Sequence, residues 1–195
     1  QTPQNPYNAR LDRARSDEDR SQVFSGSFVY DIPLLRNRRS LAAEVLGGWS
    51  ISGLVTVATG LPVYVNSGQD FSLTGVGFDR PNLIGDPYLS SGSRSTMIQQ
   101  FFNTAAFAAN SPGLYGTAAR NLFSGPSMAN TNISVVKSFP VSERLGQIQF
   151  SSEFFNTFNQ VNFGQPDGVF VDKTFGRIQT AADPRIVQFA LRYQF

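Results

Sequence analysis

A chain of 195 residues with a net charge of +2 and a sequence pI of about 9.2 carries 13% aromatic residues, 18 Phe among them, but only 15% charged ones. Soluble domains carry roughly 25% charged residues, so many aromatics beside many uncharged polar residues, at a mean hydropathy of −0.18, point to strands with one apolar and one polar face. With neither Cys nor His, disulfides, thiol chemistry, the Ser-His-Asp triad and every His-bearing metal site are excluded, and without a basic stripe there is no signal for nucleic acid.

The chain opens on a polar stretch, Gln1 to Asn8, with no initiator Met and no apolar h-region. A targeting segment is therefore expected upstream, and the start reads as a cut. No apolar run approaches the roughly 20 residues a spanning helix needs. Asp17, Glu18 and Asp19 follow among Arg13, Arg15 and Arg20. They lack the Gly-bearing spacing of a calcium loop and read as a solvated charge cluster.

Five segments then alternate with period 2. The first runs from about Gln22 to Asp31, with Phe24, Phe28 and Tyr30 opposite Val23, Ser25, Ser27 and Val29. After an Arg-rich link, in which Arg36, Asn37, Arg38 and Arg39 read as a solvated turn, the second runs from about Gly47 to Thr59. Trp49, Ile51, Val55 and Val57 share one of its faces.

A long stretch from about Gly60 to Asn130 follows, rich in Gly, Pro, Ser and Asn. Val63 to Val65 are expected to extend the second strand, Thr96 to Phe102 to form a short helix, and Asp79 and Asp86, beside prolines, to make turns. Gly75-Val-Gly77 lacks the third glycine of a dinucleotide fingerprint. Asn132-Ile-Ser134 fits a glycosylation sequon but falls within the third strand, about Thr131 to Ser138.

The fourth strand, about Leu145 to Asn156, sets Ile148, Phe150 and Phe154 against Gln147, Gln149, Ser151 and Glu153. The fifth, Arg185 to Phe195, sets Val187, Phe189, Leu191, Tyr193 and Phe195 against Gln188, Arg192 and Gln194. Glu153 and Arg192 are opposite charges on adjacent strands and could pair. Most of these strands match the roughly 9–11 residues a tilted strand needs to cross a bilayer. Long and short connections alternate as in barrels with external loops and short periplasmic turns. A soluble antiparallel sandwich or jelly roll uses the same alternation.

At this point a family resemblance enters. The segment Ser152-Glu-Phe-Phe-Asn-Thr-Phe-Asn159 with Val161-Asn-Phe-Gly164 resembles the end of TonB-dependent outer-membrane receptors, most closely the Oar-like ones with an N-terminal carboxypeptidase-regulatory-like domain. In order along the chain, Tyr30-Asp-Ile-Pro33, Leu46-Gly-Gly-Trp49, Ser52-Gly53, Thr59-Gly-Leu-Pro62, Ala119-Arg-Asn121 and Asp183-Pro-Arg-Ile-Val-Gln-Phe-Ala-Leu-Arg-Tyr-Gln-Phe195 agree with it.

The resemblance implies an all-β fold. Residues 1–195 would be the C-terminal part of one antiparallel transmembrane barrel of about 22 strands, with a long extracellular loop at about 60–130. It implies an outer-membrane location and a part in substrate uptake, with a barrel used as anchor for a surface or adhesive protein, or a soluble β-sandwich binding module, as the alternatives. Phe189, Leu191, Tyr193 and Phe195 resemble the terminal-strand signal for barrel assembly. Gln147, Gln149, Glu153, Gln188 and Arg192 are candidates to face the lumen. The expected partners are the outer-membrane bilayer, the barrel assembly machinery and, only through N-terminal parts missing from this sequence, TonB. No cofactor, metal, catalytic residue or nucleic-acid partner is expected.

Overall fold

The computed structural model describes residues 3–34, 45–75, 77, 79–89, 92–142 and 146–195. The Arg36 to Arg39 cluster lies outside them. The chain divides into two compact units, one of residues 23–58, 128–162 and 183–195 and one of residues 1–22, 59–127 and 163–182.

The first unit is a single antiparallel sheet. Its strands are β1 (Val23–Asp31), β2 (Trp49–Ala58), β7 (Met128–Ser142), β8 (Gly146–Phe155) and β9 (Ile186–Gln194), in the order β1-β2-β7-β8-β9. The register sorts the side chains by polarity. Across the sheet, Phe28, Gly53, Ile133, Phe154 and Val187 share one row. The next row toward the turns, Val29, Ser52, Ser134, Glu153 and Gln188, projects from the opposite face. Because side chains alternate strictly along a strand, one face gathers Phe24, Tyr30, Trp49, Ile51, Val55, Val135, Phe150, Phe189 and Leu191, and the other Ser25, Ser27, Ser50, Thr56, Asn130, Ser138 and the glutamines. Gly53, which has no side chain to fill the row, is covered by the ring of Phe28 on the neighbouring strand, an arrangement that shields a strand glycine.

The strand ends form a staircase. At one end β1, β2 and β7 meet at Val23, Ala58 and Met128, while β8 and β9 reach only Phe155 and Ile186, level with Asn132. At the other end β1 and β2 stop level with Val136 and Lys137, while β7, β8 and β9 continue to Pro140, Gln147 and Gln194. A step of about four residues across five strands slants the wall by about 35°, inside the range of strand tilts in closed barrels. A bulge at Val141 interrupts the ladder between the pairs of Pro140 and Ser142, one pair before its end.

At that same end the entry into β2 is set by Gly48. Its backbone sits at φ +69°, and its carbonyl accepts from Ser138 N at 2.9 Å. A side chain there would stand 2.6 Å from the Ser138 carbonyl, so only glycine fits.

The second unit holds β3 (Pro62–Val63), paired with β6 (Phe123–Ser124), and β4 (Asn82–Leu83), paired with β5 (Phe107–Ala108), besides helix α1 (Arg94–Gln99). Ser93 caps α1 by accepting from Thr96 N. The helix therefore begins two residues earlier than the hydrophobic pattern suggests. The stretch expected to be a loop has a core: Val63, Val65, Phe102, Ala106, Phe107, Ala118 and Phe123 are buried together. Phe102 stacks on Phe123 at 4.7 Å, and Phe175 meets Phe102 and Phe107 edge-on at 5.0 and 5.6 Å. Burial of each ring contributes about 1.5–3 kcal/mol, enough to order short strands that could not stand alone. Val63 thus pairs with Phe123 and enters this core instead of lengthening β2.

Candidate functional site

The polar face of β8 and β9 carries a ladder of facing pairs. Gln147 lies opposite Gln194, Gln149 opposite Arg192 and Glu153 opposite Gln188, and Gln147 Nε2 donates to Gln194 Oε1 at 2.6 Å. The five candidates Gln147, Gln149, Glu153, Gln188 and Arg192 are therefore brought onto one face. The pairing of Glu153 with Arg192 does not occur. They stand four positions apart in register, about 13 Å along the strand, and no ion pair joins them among the described residues. Glu153 stands between Ser134 and Gln188, and Arg192 opposite Gln149, instead.

The opposite face of the same two strands holds Phe189, Leu191 and Tyr193, with Phe195 just beyond β9. Phe150 stacks on Phe189 at 6.1 Å and Tyr193 on Phe195 at 5.8 Å. Leu191 remains 73% exposed and Phe195 99%, an apolar surface with no second layer of this unit over it. Each of these residues alternates with a ladder residue, so the two candidate sets are the two sides of one ribbon.

Where β8 ends, asparagines take over the hydrogen bonding that strand neighbours would otherwise supply. Asn156 N donates to Asn132 Oδ1, and Asn156 Nδ2 donates to the carbonyls of Gln160 and Asp183. Asn156 Oδ1 accepts from Gln160 N, Asn159 Oδ1 from Arg185 N, and Asn162 Oδ1 from Ala129 N. Asn156 and Asn159 adopt left-handed backbone, φ 49° and 52°, which asparagine tolerates better than most residues. The motif Ser152 to Asn159 is thus explained structurally: its asparagines fasten β7, β8 and the entry to β9. The signal for this was the repeated Asn at 156, 159 and 162.

In the second unit the pre-strand segment is tied to the long stretch by a buried network. Arg80, 2% exposed, donates from Nη1 to Asp12 Oδ1 at 2.7 Å and from Nη2 to the Leu11 carbonyl at 3.0 Å. Gln4 accepts from Arg80 N and donates to the Gly116 carbonyl, while Asn110 donates to the Arg80 carbonyl. A second tie joins Asp17 to Arg120 and Asn121. The Asn121 amide, reinforced by the Arg120 guanidinium, holds the Asp17 carboxyl below its ordinary pKa. Asp17 is therefore a partner of the Ala119-Arg-Asn121 motif and not part of a freely solvated cluster.

Asp79, expected to make a turn, is fully buried and accepts from Ser72 N at 2.7 Å. Asp86 does make a turn, accepting from Tyr88 N. Asp70 caps the loop around Ser72, Thr74 and Gly75, and the Gly75 backbone N–H holds its pKa down. Burial raises that of Tyr64. Among the described residues there is no group of three or more His, Cys, Asp or Glu placed to hold a metal.

The model of the outer membrane beta barrel domain family matches residues 1–188. No curated protein and no solved structure matches the chain.

Proposed function

Because this chain belongs to the outer membrane beta barrel domain family and so resides in the outer membrane, we propose that it forms wall and external loops of a TonB-dependent-type receptor that takes up a substrate. The observation that carries this reading is the register that divides five strands into an apolar and a polar face. The apolar face meets lipid and the polar face, with Gln147, Gln149, Glu153, Gln188 and Arg192, lines the lumen, where side chains tune selectivity. Supporting it are the slant of the wall and the ordered resemblance from Tyr30 to Phe195.

In this reading the residues of the second unit are extracellular and meet the substrate first. All five chain crossings into that unit leave from the same end of the strands, at residues 22, 59, 127, 163 and 182. The short turns then face the periplasm. Strands β1 and β9 are edges of the sheet, and in lipid an edge must be paired. Further strands closing the barrel beside them are part of the proposal. The exposed edge of β9 and the residues Phe189, Leu191, Tyr193 and Phe195 are the surface offered to the assembly machinery by strand addition. Energy coupling through TonB is assigned to no residue of this chain, and no enzymatic step, cofactor or nucleic-acid partner enters the reading.

Uptake assays on cells lacking the encoding gene test it. A receptor of this type loses uptake of one class of solute on deletion, and loses it equally when TonB is removed. If deletion instead leaves every uptake rate unchanged and strips a surface structure from the cell, the barrel is an anchor and the transport reading fails.

A further inference from the structure

The stretch Asp70-Phe-Ser72-Leu-Thr74-Gly75 carries oxygen-bearing side chains at alternate positions and then a glycine. That is the spacing of positions 1, 3, 5 and 6 in a calcium-binding loop, where the glycine makes the sharp turn. The second unit folds the stretch accordingly. Gly75 has φ +78°, yet a side chain there would meet no atom within 4 Å, so the turn and not crowding calls for glycine. Asp70 Oδ1 accepts from Thr74 N and Oδ2 from Gly75 N, which fixes the carboxylate inside its own loop. Three side-chain oxygens then converge: Ser72 Oγ stands 3.1 Å from Asp70 Oδ1 and 2.8 Å from Thr74 Oγ1. At the roughly 2.3–2.6 Å of calcium ligands, oxygens so spaced subtend about 65–85° at the ion, as neighbours in a pentagonal-bipyramidal shell do.

Spacing alone would make an ordinary hydrogen-bonded loop. Asp79 supplies an independent observation. Its side chain is fully buried, its Oδ2 accepts from Ser72 N at the middle of the loop, and its Oδ1 has no hydrogen-bond partner among the described residues. The adjacent Arg80 guanidinium is turned to Asp12, and no ion pair among the described residues includes Asp79. Beside it Asn110, which donates to the Arg80 carbonyl, also keeps a buried Oδ1 without a partner. A carboxylate buried with one oxygen unmet is costly unless a cation reaches it.

We infer that Asp70, Ser72, Thr74 and Asp79 form a calcium site that orders this loop. Two carboxylates balance the charge of one Ca²⁺, and hydroxyls supply the other side-chain ligands, so no acidic cluster marks the place. Magnesium demands near-ideal octahedral geometry and dehydrates reluctantly, which suits the angles of this loop poorly. With so few charged ligands the affinity is that of extracellular modules, a dissociation constant of about 0.1–1 mM. The site rests on the second unit alone and is independent of the transport reading.

The N–H groups of Ser72, Thr74 and Gly75 donate to the two carboxylates, so their hydrogen exchange reports opening of the loop. Exchange is followed on the full chain, purified from outer membranes in detergent and stripped with EDTA. Calcium at about 2 mM should slow these amides about threefold to twentyfold, the factor 1 + [Ca²⁺]/Kd for an opening that releases the ion. Magnesium at the same concentration should slow them less than about twofold. Asp79→Asn should abolish the calcium effect. Thr74→Val removes an exposed hydroxyl and no carboxylate, so it keeps the fold and should at least halve the slowing even where Asp79→Asn fails to fold. Amides that exchange equally fast with and without calcium overturn the site and leave Asp79 to a buried water. Slowing undiminished in Thr74→Val, or matched by magnesium, places the ion elsewhere and overturns it as well.

Discussion

Asp17 accepts two hydrogen bonds from Arg120 Nη2, at 3.0 and 3.1 Å, although 103 positions separate them in the chain. With the Asn121 amide on the same carboxylate, the folded pKa lies below the unfolded value of about 3.9. The tie therefore contributes its full stability above that unfolded value and loses it as the pH falls through the lower folded one. Hydrogen exchange of the segment around Arg15 to Arg20, corrected for the intrinsic rate, should be flat from neutral pH down to about 4 and accelerate below it. Asp17→Asn should remove that acid step. Persistence of the step in the variant would place its origin elsewhere.

Asn156 is a single side chain that makes hydrogen bonds to Gln160 and Asp183 while its backbone is left-handed. Asn156→Ala loses these bonds and adds a strained conformation, for a cost of about 2–4 kcal/mol. Asn156→Gly relieves the strain and retains only the hydrogen-bond loss. Thermal unfolding in detergent should rank wild type above Gly and Gly above Ala. Equal midpoints for all three would show that the asparagine fastening contributes nothing.

Neighbouring residues on β2 test the two faces directly. Val55→Arg places a charge in the middle of the apolar face and should destabilise the membrane-folded state by about 2–4 kcal/mol in urea titrations from vesicles. Thr56→Arg, one residue on, projects from the polar face and should shift the midpoint by less than about 1 kcal/mol. Reversal of that order would exchange lumen and lipid.

Among the described residues the Phe195 ring stacks only on Tyr193, and Phe195 is 99% exposed, so its removal leaves little packing to lose. Phe195→Ala should lower the amount assembled in the outer membrane several-fold while leaving unfolding in detergent unchanged. A matched loss in both measurements would make Phe195 a structural residue and not an assembly signal.

The five strands were legible because period-2 alternation is local: each of Phe24, Trp49, Ile133, Phe150 and Phe189 announces its face through its own neighbours. What joins one strand to another was not. The separation of Glu153 from Arg192 depends on a cross-strand register that no single strand encodes. The second unit was hidden for a related reason. Phe102, Phe107, Phe123 and Phe175 follow neither a helical nor a strand period, so their convergence leaves no trace in a local window. Asp79 and Arg80, before Pro81, carry the composition of a surface turn and are nonetheless buried by partners as distant as Gln4 and Asp12. The asparagines of 156 to 162 were visible as a motif, but their role required the strand ends they serve.

The aromatic core of the second unit draws on both residues 59–127 and residues 163–182, and residues 1–22 are stitched to the former through Gln4, Asp12 and Asp17. Such a unit resists piecemeal diversification. Exchange of one stretch with that of a relative would pair Phe175 with a foreign Phe102, or Asp17 with a foreign Arg120. Descendants are thus expected to inherit all three stretches as a block, or to vary at surface positions such as Tyr88, Leu89 and Leu114 that the core leaves exposed.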